Sequence, residues 1–225
     1  TWANDSTLNV ANGYSNTSSP SEPTQIPGLI GQNVMRLSVD YSQRSALALT
    51  AQGIVYQWQI GNQSPTRVAG LAGLKIVDIL ATPTVSLALT DSGVVYAFNG
   101  PLWSLGTNEI SGYAYSVYPS AYKVNLPETA TSLLPISGGL NAVKGSSGRI
   151  FYWGEYYYSG SGYFKSSTPT PISLPNSLTA KLIGFAPSAY SALAIIASDG
   201  TWWDMSVNSQ NQVVYYPRAG VPSEI

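Results

Sequence analysis

The chain has 225 residues, 44% hydrophobic and only 9% charged, against about 25% charged in an ordinary soluble domain. Its 10 basic and 11 acidic residues leave a net charge of -1, without the clustered cations that nucleic acid or an anionic membrane surface requires. His and Cys are both absent, which excludes Ser-His-Asp and Cys-His catalysis, disulfides and thiolate metal sites.

Taken in chain order, the first element is Pro23-Thr24-Gln25-Ile26-Pro27-Gly28-Leu29. Proline cannot serve a central ladder, so this segment is expected as an outer strand. An apolar stretch over residues 34–39 follows. Two strands with period-two alternation then flank the turn Ala51-Gln52-Gly53, with glycine taking the positive φ of a hairpin. The same order returns three times. Outer strands are expected at Pro65-Thr66-Arg67-Val68, at Tyr122-Lys123-Val124 and at Pro169-Thr170-Pro171-Ile172. Apolar stretches lie at residues 75–80, 130–135 and 181–185, and hairpins turn at Gly93, Gly148 and Gly200. The turn glycines are 40, 55 and 52 residues apart.

One outer strand, one middle stretch and a hairpin make a four-stranded antiparallel blade, and blades of about 50 residues close into a propeller. The fold class is therefore all-β, a single β-propeller domain or segment over residues 1–225 with few or no helices. Its repeat units are residues 3–58, 59–98, 99–153 and 154–205, with 206–225 and 1–2 as a split fifth. The repeated aromatics Tyr56, Tyr96, Phe151, Trp153 and Trp203 are expected in the core or between blades.

The succession Leu47-Ala48-Leu49-Thr50, Gly53, Val55-Tyr56-Gln57-Trp58 resembles the regulator of chromosome condensation repeat. Trp153-Gly154 matches that family's Trp-Gly pair, and Leu105-Gly106 resembles the Leu-Gly that follows it. The family's usual His before the Leu-Ala-Leu-Thr strand is missing, and Trp58 gives way to Phe98 and Met205 in other units. The chain thus resembles a divergent, bacterial version of the repeat. A ring of that family usually has seven blades. The resemblance leaves open a fragment of a larger ring, a small closed ring, or completion by strands of a partner. It implies nucleotide exchange on a small GTPase, chromatin docking, secreted inhibition of β-lactamases, or surface recognition. Neutral charge and degenerate repeats argue against the first two.

The chain holds 16 Tyr and 6 Trp, concentrated in the connections that follow each hairpin. One such connection carries Trp103, Tyr113, Tyr115 and Tyr118, and the next carries Tyr156, Tyr157, Tyr158 and Tyr163. Quasi-symmetry puts these loops on the face opposite the glycine turns. Rigid amphipathic rings among Ser, Gly and Asn suit recognition of protein or glycan, so these eight residues are the expected ligand-binding set. No catalytic residue, metal ligand or cofactor is expected. The reading is a non-enzymatic, secreted or cell-surface recognition module, like the tip of an adhesin or fibre, binding glycan or protein. Nucleic acid and membrane insertion are not expected, and association with further copies or a fibre partner is. Alternatives are a secreted protein inhibitor of an enzyme such as a β-lactamase, and a structural subunit that assembles through open strand edges.

Overall fold

The computed structural model describes residues 9–10, 24–40, 45–59, 64–108, 118–136, 139–158, 162–185 and 193–218. Among them lie 18 strands and three short 3-10 turns, with no α-helix. Strands β1 (Asn9–Val10) and β2 (Thr24–Gln25) form a two-stranded sheet. The first complete blade is β3 (Val34–Asp40), β4 (Ser45–Thr50), β5 (Val55–Gln59) and β6 (Thr66–Arg67). The second is β7 (Ile76–Ala81), β8 (Ser86–Thr90), β9 (Val95–Phe98) and β10 (Tyr122–Lys123). The third is β11 (Ala130–Leu134), β12 (Leu140–Gly145), β13 (Ile150–Tyr158) and β14 (Gly162–Pro171). The fourth is β15 (Ala180–Phe185), β16 (Leu193–Ala197), β17 (Trp202–Val207) and β18 (Val213–Pro217). Four antiparallel, four-stranded sheets in sequence order are the blades of a β-propeller.

Each hairpin is closed by local chemistry. The turn glycines Gly53, Gly93, Gly148 and Gly200 lie at φ 77°, 81°, 86° and 85°, the left-handed region that glycine enters without a Cβ penalty. In the first two turns a threonine hydroxyl accepts a backbone N–H across the turn, from Ile54 to Thr50 at 3.1 Å and from Val94 to Thr90 at 2.9 Å. In the fourth, Asp199 accepts from the Thr201 N–H at 2.9 Å instead.

The repeat read in the sequence and the blade are out of phase. Each of these outer strands pairs with the hairpin before it: Tyr56 opposes Arg67, Tyr96 opposes Lys123, and Phe151 opposes Pro171. The chain folds straight back after each closing aromatic, so the outer strand joins the blade just finished. Tyr216 and Pro217 accordingly belong to the outer strand of the fourth blade, with Trp203 opposite Pro217. The additional partial unit among the described residues is the β1–β2 sheet. Trp2 lies outside the described residues.

Packing between blades supplies the core. Leu47, Leu49 and Val55 of the first blade bury against Ile76, Ile79, Ala88 and Phe98 of the second. Leu87, Leu89 and Val95 pack likewise on Leu133, Phe151 and Trp153 of the third. Ala142, Ile150 and Tyr152 pack on Leu193, Ile195, Trp203 and Met205 of the fourth. Each fully buried large side chain contributes roughly 1.5–3 kcal/mol from area removed from water. Thus the motif aromatics Phe151, Trp153 and Trp203 sit in the joints. On its other side the first blade meets Ile26 and Leu29 through Ala46, Ala48, Tyr56 and Trp58. Here Leu37 is 39% exposed, whereas Ile79 at the matching position of the second blade is 1% exposed.

One charged pair sits within the first joint. Arg36 reaches Asp78 at 2.7 Å, and the Ile79 N–H donates to the same carboxylate at 2.7 Å. Burial nevertheless pushes the Asp78 carboxyl above its ordinary 3.8, outweighing Arg36 and the Ile79 N–H, which both pull it down. Below pH 3.8 the carboxyl is protonated in both states and carries no penalty. As pH rises beyond that value the unfolded chain ionises first, so stability falls through the folded-state value and stays reduced at neutral pH. Asp78→Asn, which keeps an acceptor for Ile79, is expected to raise the melting temperature at pH 7 and leave it nearly unchanged at pH 3. A larger loss at pH 7 than at pH 3 would show that the ion pair outweighs burial.

Candidate functional site

Strands β5, β9 and β13 all run away from the glycine turns, and their ends define one face of the arc. At the first blade joint this face opens into a cleft of about 370 Å³. The first blade lines it with Ser45, Gln57, Trp58 and Thr66, and the second with Thr82, Val85, Ser86 and Asn99; none of the described lining residues is charged. Asn99 follows β9 directly and adopts φ 57°, a conformation Asn tolerates better than most residues. Its Nδ2 donates to Gln57 Oε1 at 2.6 Å, tying the two blades together. Its backbone N–H donates to Tyr118 O at 2.7 Å, and Tyr118 N–H returns to Gly100 O at 3.1 Å. This clasp brings the end of the Tyr-rich connection against the rim of the cleft.

The floor behind the cleft is a buried polar chain across the second joint. Thr82 Oγ1 lies 3.0 Å from Asn141 Oδ1, and Asn141 Nδ2 donates to Ser104 O at 3.4 Å. The Trp153 Nε1–H donates to the same carbonyl at 2.7 Å. Buried polar atoms held this way fix the joint, because losing a partner leaves a desolvated group unpaired.

At the third blade the expected Tyr-rich loop is a β-ribbon. Strands β13 and β14 continue past the blade with Tyr156 opposite Phe164, Tyr157 opposite Tyr163 and Tyr158 opposite Gly162. The aromatic run favours strand over loop, as a high β-propensity predicts. Tyr156 and Phe164 pack against the core of the third joint. The Tyr152 ring lies 5.6 Å from Phe164. Burial holds the Tyr152 and Tyr215 phenols above their ordinary value, so this hydrogen-bonded pair stays neutral.

The expected ligand-binding residues therefore fall in different places. Tyr118 is partly buried, edge-on to Tyr122 with ring centroids 6.0 Å apart. Tyr156, Tyr157, Tyr158 and Tyr163 lie in the ribbon, and Tyr113 and Tyr115 lie outside the described residues. Trp103 is no free platform: it sits in the 3-10 turn Leu102–Ser104, 7% exposed, with Lys165 Nζ 5.0 Å from its ring. The residues overlooked are Gln57, Thr82, Ser86 and Asn99. Overlaying the repeats would have exposed Gln57, since the second unit carries Ala97 at its position.

The arrangement offers amides, hydroxyls and ring edges to a neutral ligand. Among the described residues no group of three His, Cys, Asp or Glu could hold a metal ion. None of their helices is long and apolar enough to cross a membrane.

Comparison with known proteins agrees with this architecture. The crystal structure of human WBSCR16 superposes with a TM-score of 0.61 at 16% identity, over 92% of this chain and 58% of that one. The fold is a β-propeller with blades of the chromosome-condensation-repeat type. Prp20p from Saccharomyces cerevisiae, a structure reported with its binding to Gsp1p and histones, gives a TM-score of 0.47 at 13% identity, over 95% of this chain and 72% of that one. The E3 ubiquitin-protein ligase HERC2 of Homo sapiens is 35% identical over 88 residues, which is 34% of this chain. The match spans 2% of that ligase's length. No protein-family model matches the sequence.

Proposed function

We propose that this chain is a non-enzymatic recognition module that binds glycan or protein through the face opposite its glycine turns. The observation that carries the reading is the make-up of that face, where a cleft whose described lining is amides, hydroxyls and no charge lies beside Tyr118, with the Tyr-rich ribbon on the same side. Such surfaces combine rigid aromatic contact area with adaptable hydrogen bonding. A chain without His or Cys lacks an imidazole base and a thiolate nucleophile, which supports binding over catalysis. Low charge and abundant Tyr, Ser and Asn support a secreted or cell-surface setting, as in an adhesin.

A glycan array and a panel of extracellular proteins test this with Tyr118→Ala and Tyr157→Ala. Binding is expected to weaken about tenfold in either variant, as for an aromatic anchor worth about 1.4 kcal/mol, measured below each variant's melting temperature because the Tyr118 ring also packs on the second joint. Ligands that bind both variants as tightly as the parent would remove this face from the reading.

A further inference from the structure

Gln57 and Asn99 meet at a position where the other joints need no amide. By strand register the matching pair is Ala97 and Gly154 at the second joint, and Tyr152 and Ser206 at the third. Blade packing therefore does not require two carboxamides here. Their mutual hydrogen bond at 2.6 Å uses one Asn99 N–H and the Gln57 carbonyl. It leaves the Gln57 amide N–H groups, the Asn99 carbonyl and the second Asn99 N–H with no other partner among the described residues. Each amide holds the other in place, so donors and an acceptor stand side by side at the mouth of a cleft.

The rest of the cleft narrows the ligand class. Among the described lining residues Ser45 and Thr66 add hydroxyls, Trp58 adds an apolar wall, and none is charged. An ionised ligand would lose hydration among these residues without meeting a counter-charge from them. Adjacent sugar hydroxyls each donate and accept at once, and the C–H edge of the same ring suits an apolar wall. The volume of about 370 Å³ lies within the 300–1,000 Å³ usual for small-ligand sites. We propose that this cleft binds a neutral saccharide, with Gln57 and Asn99 holding two vicinal hydroxyls. The proposal takes from the recognition reading only its choice of face, and makes the cleft rather than the tyrosines the point of capture.

Titration of the 15N-labelled chain with the methyl glycosides of glucose, galactose and mannose, followed by NMR, tests it. N-Acetylglutamine amide serves as a peptide-like control. At least one glycoside is expected to shift the side-chain amide signals of Gln57 and Asn99 saturably. Its affinity should fall about tenfold in Gln57→Leu and in Asn99→Gly, the latter keeping the left-handed backbone. The proposal is overturned if no glycoside moves these signals, if only the amide control does, or if both variants bind unchanged. Shifts confined to the ribbon would overturn the cleft and leave the recognition reading standing. Cleft binding that survives in the Tyr118→Ala and Tyr157→Ala variants would do the reverse for the tyrosines.

Discussion

Trp153→Ala is expected to remove about 3–5 kcal/mol of stability, the range for deleting a large aromatic from a close-packed core. The indole is 0% exposed and lies in the second blade joint with Leu133 and Phe151. It also reaches out of its own blade, donating from Nε1 to Ser104 O at 2.7 Å. Gly106 passes close beside it: a Cβ there would stand 3.1 Å from Nε1. Alanine would open a cavity among residues that belong to two blades and a connection, so no single element can close over it. Trp153→Phe separates the two contributions, keeping most of the packing and losing the hydrogen bond. Asn141 still donates to Ser104 O at 3.4 Å, so the phenylalanine variant should cost about 1–2 kcal/mol. Urea denaturation at 25 °C reads both values. A loss below about 1 kcal/mol for Trp153→Ala would mean that the joint is not held as described.

Gly154→Ala is expected to cost about 2–4 kcal/mol through backbone strain and overpacking. Gly154 lies at φ 117°, where an L side chain is strained. A Cβ would also press on the Gly139 carbonyl oxygen, and would stand 3.2 Å from Leu140 Cα. Both obstacles are backbone, so neither can rotate away. The register of β13 against β14 shifts between Tyr152 and Gly154, which makes this residue the base from which the ribbon leaves the blade. Ligand binding through the ribbon should weaken with stability in the same variant. Gly148→Ala is the control, because its φ of 86° is strained but no atom lies within 4 Å of the added methyl. Thermal unfolding of the two variants should differ clearly. Equal losses would reduce the Gly154 effect to backbone conformation alone.

The blade hairpins were legible because everything that makes them is local. Alternation in Leu47-Ala48-Leu49-Thr50, a glycine three residues on and β-formers after it leave little choice to the backbone. The ownership of the outer strands was not local. Pro65-Thr66-Arg67 lies between two hairpins in sequence, and only the route of the connections assigns it to the earlier one. Tyr156, Tyr157 and Tyr158 read as a loop because they follow the closing aromatic Trp153, yet their own preference for strand carries β13 on to Tyr158. Trp103 read as a surface ring, yet it is buried, and Lys165, more than 60 residues away in the third blade, stands over its ring. Gln57 and Asn99 are ordinary residues separately. Their significance arises from a contact between neighbouring blades, 42 residues apart in the chain, which no local pattern encodes.

The offset between repeat and blade decides where this protein can be divided. A shortened chain that stopped at a closing aromatic such as Trp58 or Trp153 would lack the strand that covers its last hairpin. The bared ladder would then offer free N–H and C=O groups to any passing chain, a template for aggregation. Cuts placed in the connections after the outer strands, such as residues 68–75 or 172–179, leave every sheet with its full set of strands. Grafts and fusions that respect those points carry whole blades, and those drawn by sequence motif carry three-quarters of one.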